Sequence, residues 1–354
     1  MKAPVLRCVA LVALLSSLVA TSREQDKTER LKALEKIREL GGHWFDLSPR
    51  PRFPSLNVNC PKSFADADLK LLRPLFDLKY LALDNTQISD DGLPHLKEFK
   101  HLWQLGLNGT AITDDGLRHL IHFPNLRNLA LAGTRVSRAG LKHLAKMPHL
   151  VSLQLSQTDI DDDALETLKD LPLEALFLDN TKITDNGLKW LARMDSLATL
   201  TVSHTKVTDA GLAHLANLDL EWLSLDGTKI TDAALVHLKE MIYLKFLSLR
   251  CPAITDAGLV HLKKMRAMEH LSLDQTQITD RGMATISQFR KLVSLGVSNT
   301  QVSDAGIILL GKCRRLIQLH TFESRVTPEG ALALQKLLPA LEIQQGKWKP
   351  FELP

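Results

Sequence analysis

Six of the thirteen histidines, His95, His119, His143, His214, His237 and His261, stand at one position of a recurring pattern, and such a column invites a reading as metal ligands. Zinc needs its donor nitrogens at about 2 Å, whereas equivalent side chains on neighbouring helices start about 8–10 Å apart. The column is therefore read as a repeated helix face, part buried and part solvated. Threonine recurs in the same way, at Thr86, Thr110, Thr134, Thr158, Thr181, Thr205, Thr228, Thr276 and Thr300, with Pro252 and Ser324 departing from the series. A nucleophilic threonine needs a base of its own beside it, which many near-equivalent copies lack. These hydroxyls are expected instead to satisfy backbone groups where a strand turns, as a ladder between units. The run Asp161-Asp162-Asp163 and the recurring Thr-Asp pairs could suggest calcium, which takes six to eight oxygens. Their regular place at helix starts points to capping. There is no nucleophile elbow, phosphate-cradling glycine loop, zinc-type spacing or isolated carboxylate pair. The residues imply no enzyme, no metal and no cofactor.

The pattern that positions these residues is a unit of about 24 residues used eleven times, beginning at Leu78, Leu102, Leu126, Leu150, Leu173, Leu197, Leu220, Leu244, Met268, Leu292 and Leu316. Each unit reads L-x-x-L-x-L-x-x-T-x-[IV]-[TS]-D-x-G-L-x-x-L, as in Leu102 to Leu120. A weaker copy from about Phe53 to Asp77 carries Leu56, Val58, Phe64 and Leu69 at its apolar positions. Inside a unit the hydrophobic period changes from two to helical. Leu105 and Leu107 form a short strand with both leucines on one side, and Leu117 and Leu120 place a helical stripe on the same core. One unit has nothing to cover its leucines, so neighbours must stack and bury them continuously. Strands pack about 4.8 Å apart and helices about 8–10 Å. The array must therefore bend, with a parallel sheet of about twelve strands inside the curve.

These residues resemble the leucine-rich repeat proteins. The T-x-I-T-D-x-G-L form is similar to exported repeat proteins of planctomycete-type bacteria. It is more distantly similar to the cysteine-containing subclass of F-box adaptors, which prefers Cys or Asn where this chain has Thr. The resemblance implies an α/β solenoid, right-handed, with a curved parallel sheet on the concave face and helices on the convex face. It says almost nothing about the ligand.

The chain ends are expected to be signal and caps. Lys2 and Arg7 precede an apolar run from Cys8 to Ala20, and Ala20-Thr21-Ser22 offers a small-x-small cleavage pattern. Residues 1–22 therefore read as an export signal. The alternative is an uncleaved anchor, although the run of about 13 residues falls short of the roughly 20 that span a bilayer. Export places the protein in the periplasm, at the cell surface or outside. Residues 23–52 read as a helix, Glu29 to Leu40, stopped by Gly41-Gly42, then an extended lid with Trp44, Phe45 and Leu47. Residues 53–340 hold the repeats, and 341–354 a C-terminal cap in which Leu341 and Ile343 begin a half repeat and Trp348 and Phe351 cover the last open core. Cys60 and Cys251 lie eight units apart, too far for a disulfide. Of the formal charge of +4, the signal carries two from Lys2 and Arg7, leaving +2. No basic run could track a phosphate backbone, so nucleic acid is not an expected partner.

What remains for function is the concave face. Strand positions 3, 5 and 7 alternate with the buried leucines and must face the hollow. In a chain with 5% aromatics, Phe177, Trp222, Phe246 and His270 gather there, edged by Asp179, Asp226, Arg250 and Asp274. Exposed rings rimmed by charge offer apolar contact together with orienting polar groups. The expected function is binding of a protein or peptide. The alternatives are a cell-envelope glycan-binding protein and an F-box-like substrate adaptor, and the bland reading is that the rings pack sideways on small neighbours.

Overall fold

The structure is a computed structural model that describes residues 25–46 and 56–346. The proposed signal, Leu47 and the Pro-rich segment after it, Trp348 and Phe351 lie outside the described residues. One sheet of fourteen strands runs in sequence order from end to end. Its strands are β1 (His43–Asp46), β2 (Leu56–Asn59), β3 (Tyr80–Ala82), β4 (Gln104–Gly106), β5 (Asn128–Ala130), β6 (Ser152–Gln154), β7 (Ala175–Phe177), β8 (Thr199–Thr201), β9 (Trp222–Ser224), β10 (Phe246–Ser248), β11 (His270–Ser272), β12 (Ser294–Gly296), β13 (Gln318–His320) and β14 (Glu342–Gln344). Every pair from β2 onward is parallel and in register by unit position, so that Trp222 lies beside Phe246 and Phe246 beside His270. The exception is β1, which pairs antiparallel with β2 and closes the first edge. The half repeat at the other end adds β14 beside β13.

The strand and helix leucines form one continuous apolar interior from Leu34 to Leu341. Leu105, Leu107, Leu117 and Leu120 are each fully buried, as are their counterparts along the array. In the N-terminal cap the helix spans 25–39. Its buried stripe is Ala33, Leu34 and Ile37, whereas Leu31, which the spacing had placed on that stripe, is half exposed. Gly41 adopts a left-handed conformation, and the Gly42 amide donates to the Ile37 carbonyl, closing the helix as the Gly-Gly pair predicts. The convex face is made of short turns. Some are α-helical, such as Asp185–Leu191 and Asp209–Leu215, and others are 3-10, such as Asp232–Leu238. The six histidines of the column range from half-buried to exposed.

The threonine and aspartate columns differ from expectation in an instructive way. Each position-9 threonine donates its hydroxyl to the carbonyl three residues earlier in its own unit, as Thr110 does to Leu107 at 2.6 Å. It closes its own turn and builds no ladder between units. The residue before it carries a left-handed backbone, for example Asn85, Asn180 and Asn299, or Gly109 and Gly133. The ladder is made by the position-13 aspartates. Asp162 accepts from the Thr184 amide at 2.7 Å and from the Thr184 hydroxyl at 2.6 Å, one unit further on. Nine other pairs repeat this contact, from Asp66 with Ser89 to Asp304 with Thr327. The hydroxyl so held caps its own helix, as Thr184 does by accepting from the Asn186 amide. The Thr-Asp pair thus divides its labour: the hydroxyl caps, and the carboxylate ties two units together.

The position-15 glycine follows from that tie. A Cβ on Gly187 would sit 2.5 Å from Asp162 Oδ1. At one junction the ladder is missing: Arg138 stands where the aspartate belongs, and Asp161 replaces the next hydroxyl. There the glycine becomes Ala164, Asp161 accepts from the Ala164 amide, and an exposed ion pair of Arg138 with Asp163 spans the gap at 2.6 Å.

Candidate binding surface

The register of the strands sets the candidate rings in columns. Position 3 supplies Trp222, Phe246 and His270 from β9, β10 and β11. Trp222 and Phe246 stack nearly parallel, with centroids 3.7 Å apart and planes at 10°, and Phe246 leads on to His270 at 6.1 Å and 32°. Trp222 is 41% exposed, an unusual state for so large an apolar side chain. Phe177 does not join this ridge. It stands at position 5 of β7, two strands away, where it lines a shallow trough with Gln104, Asn128, Ser152 and Gln154.

The charged residues are placed at position 7, just beyond the strands, and much of their hydrogen bonding serves the scaffold. Asp179 accepts from the Ser203 amide at 2.7 Å and from the Thr201 hydroxyl at 2.6 Å. Asp274 accepts from the Ser298 amide at 2.6 Å and from the Ser272 hydroxyl at 3.0 Å. Asp226 is buried, and accepts from the Ser248 hydroxyl, the Arg250 amide and Arg250 Nε. These bonds compensate the carboxylates for lost water. Arg250 is exposed and pairs with Asp226 through Nε at 3.0 Å. Arg250 and Asp274 also line a pocket of about 240 Å³ with His320 and Phe322, which the sequence reading did not include.

The turn after Arg250 is the one where Pro252 replaces the column threonine. Cys251 is fully buried there, and its thiol lies 3.2 Å from the Leu225 carbonyl. Burial raises the Cys251 pKa and likewise pushes Cys313 up to about 11 and Cys60 up to about 12. All three are free thiols. Trp103, at position 2 beside β4, is a further ring absent from the sequence-based candidates; it meets Tyr80 edge to face at 5.6 Å. Its signal was the 24-residue column at position 2, one residue outside the alternation used to select concave positions. Among the described residues no group of His, Cys, Asp and Glu could hold a metal ion, and no helix is long and apolar enough to cross a membrane.

A parallel sheet built from consecutive short units, one continuous leucine core and a convex face of short turns define a leucine-rich repeat solenoid. The family model described as a leucine-rich repeat region matches residues 51–303, and the chain belongs to that family. No curated protein matches. Among solved structures, an internalin from Listeria monocytogenes is 21% identical, covers 78% of this chain and 82% of its own, and superposes with a TM-score of 0.55. A leucine-rich repeat protein of Leptospira interrogans is 17% identical over 81% of this chain and 83% of its own, with a TM-score of 0.48. The mouse RP105/MD-1 complex gives 19% identity and a TM-score of 0.52 over 73% of this chain and 45% of that one. These likenesses are of fold. Leucine-rich repeat proteins generally serve as protein-binding scaffolds and are typically not enzymes.

Proposed function

We propose that this chain is an exported, non-enzymatic scaffold that binds a protein or peptide on its concave face, with the ridge of Trp222, Phe246 and His270 as the centre of contact and Arg250 as its polar edge. The observation that carries the reading is the Trp222–Phe246 stack, which presents a tryptophan to solvent in the middle of a rigid sheet. Large rings held in one orientation give contact area with little ordering cost, and a preformed surface avoids much of the entropy loss of association. Asp179, Asp226 and Asp274 act in this reading chiefly by fixing the strand ends beneath the ridge, with Phe177 as an outlying contact.

The test is affinity capture from native envelope extract on immobilised protein, comparing wild type with the double variant Trp222→Ala/Phe246→Ala. A protein retained by the first and lost by the second, with unchanged circular dichroism, supports the assignment. Equal retention defeats it. Export rests on the basic and apolar pattern of the first twenty-two residues and on the resemblance to exported bacterial proteins. Amino-terminal sequencing of the protein from its native host is expected to start near Arg23, and an intact N-terminus in the cytosol would favour the adaptor reading.

A further inference from the structure

A second surface lies at the other end of the array, away from the aromatic ridge and independent of it. Lys79, Trp103 and Arg127 occupy position 2 of three successive units, and the backbone ladder that joins them, Trp103 N to Lys79 O and Arg127 N to Trp103 O, fixes them in a row. His101 and His149 stand one residue before their units and face the same space. With Tyr80 these side chains line an open pocket of about 550 Å³ with no carboxylate in its wall. The carboxylate of the neighbouring unit start, Asp77, is already paired with Arg30 at 2.5 Å. Among the described residues neither Lys79 nor Arg127 has an ion pair. Two positively charged side chains and two imidazoles therefore share a pocket whose wall holds no carboxylate.

Tyr80 also forms one wall of an adjoining concave trough of about 270 Å³, whose floor carries Asn57, Asn59, Gln104, Asn108 and Gln154 together with one carboxylate, Asp84, which accepts from the Asn108 amide at 2.9 Å. In that trough Asn57 is 6% exposed, and its Oδ1 has no hydrogen-bond partner. A buried acceptor without a donor is costly unless a ligand or water supplies one. A floor of amides asks for many neutral donors and acceptors, the Tyr80–Trp103 pair offers ring faces, and the rim asks for negative charge. We infer that the first five units bind an acidic saccharide, its carboxylate or sulfate groups between Lys79 and Arg127, its ring against Trp103, and its hydroxyls along the amide trough toward Asn57.

The probes are an oligogalacturonate, which is acidic through carboxylates, a heparin tetrasaccharide, which adds sulfates, and a neutral dextran oligosaccharide, each titrated by calorimetry into the full chain. At least one acidic sugar is expected to bind more tightly than dextran, with affinity falling as salt rises. Lys79→Gln/Arg127→Gln is expected to weaken that binding by about tenfold or more, since charge-assisted contacts are the strong ones. Asn57→Leu, which removes the unpaired acceptor, should weaken both acidic and neutral sugars. The variant Trp222→Ala/Phe246→Ala should bind as wild type does. The inference is overturned if neither acidic sugar binds, if dextran binds equally well, or if removing Lys79 and Arg127 leaves affinity unchanged in a protein with native circular dichroism. Preference for a phosphopeptide over both acidic sugars would also overturn it.

Discussion

The pairing of Asp162 with Gly187 makes a prediction whose sign depends on its partner. Asp162 accepts two hydrogen bonds from Thr184, and a Cβ on Gly187 would come within 2.5 Å of its Oδ1. Gly187→Ala must therefore push the carboxylate off at least one bond or convert the α-helical turn to 3-10, the form found at Ala234, where both bonds of Asp209 persist. A hydrogen bond to a charged acceptor contributes about 1.5–3 kcal/mol, with the lower end fitting a half-buried group. Against that stands a gain of up to about 1 kcal/mol from replacing Gly in a helix. The net expectation is a loss of about 0.5–2 kcal/mol. In an Asp162→Ala background both bonds are already gone and the Oδ1 contact with them. The new methyl still meets Ile183 Cγ2 and Leu165 Cδ1 at 3.2 Å each, side-chain ends that must give by a few tenths of an ångström. There Gly187→Ala should be neutral or stabilise by up to about 1 kcal/mol, so the coupling energy is about 1.5–3 kcal/mol, the hydrogen-bond term itself. Urea unfolding of the four chains, followed by far-UV circular dichroism, measures it. An equal effect of Gly187→Ala in both backgrounds would refute the claim that the glycine column exists to admit the aspartate column. The chain carries two comparisons of its own. Ala164 faces Arg138 and not an aspartate. Ala234 faces Asp209, whose bonds to Thr231 persist at 2.7 Å, and there the turn is 3-10.

Other expectations follow from the same geometry. Leu223→Ala, at a fully buried strand position, should cost about 2–5 kcal/mol in the same urea assay, whereas Phe246→Ala at the half-buried ridge should cost about 0.5–1.5 kcal/mol for the lost ring pair. Cys251 and Cys313 should resist iodoacetamide at neutral pH until the chain is unfolded, since burial keeps their thiols protonated; rapid labelling of the native protein would contradict this. The folded pKa of Cys60, about 12, and of Cys313, about 11, exceed the ordinary value of 9.0. Above pH 9 the unfolded state sheds protons that the folded state keeps, so stability should fall as pH rises from about 9 toward those values, and Cys313→Ala should flatten part of that slope. Arg138→Asp should destabilise, because it sets a carboxylate against Asp161, which has no hydroxyl to donate, and against the methyl of Ala164.

The architecture was legible because the burial of each leucine is decided by its unit position, and that position repeats. Strands, inward leucines, parallel register and the half repeat at β14 follow from the 24-residue spacing alone. Spacing could not assign hydrogen-bond partners. Thr110 and Asp114 both sit near a turn, and only their reach across 4.8 Å between strands or back three residues decides that the aspartate ties units while the threonine closes its own. The same limit governed the concave face. The sequence brought Trp222, Phe246 and His270 into one column, where their stacking is a matter of adjacency. Phe177 differs by two positions and so lies in another column. Asp226 reads as rim charge on paper, yet three donors from its own scaffold converge on it. Lys79, Trp103 and Arg127 were overlooked because position 2 lies outside the strict alternation of a three-residue strand, although their 24-residue spacing was as regular as any.

The missing rung at Arg138 also bears on how the molecule opens. In an array of nearest-neighbour contacts, an unfolding fluctuation travels until it meets a joint that no longer transmits it. Between the units beginning at Leu126 and Leu150, two charge-assisted bonds give way to one solvent-facing ion pair, although the leucines continue unbroken beneath. That joint divides the solenoid into two blocks, and amide exchange should reveal them as separate cooperative populations, the shorter one closed by β1 and the longer one carrying the aromatic ridge.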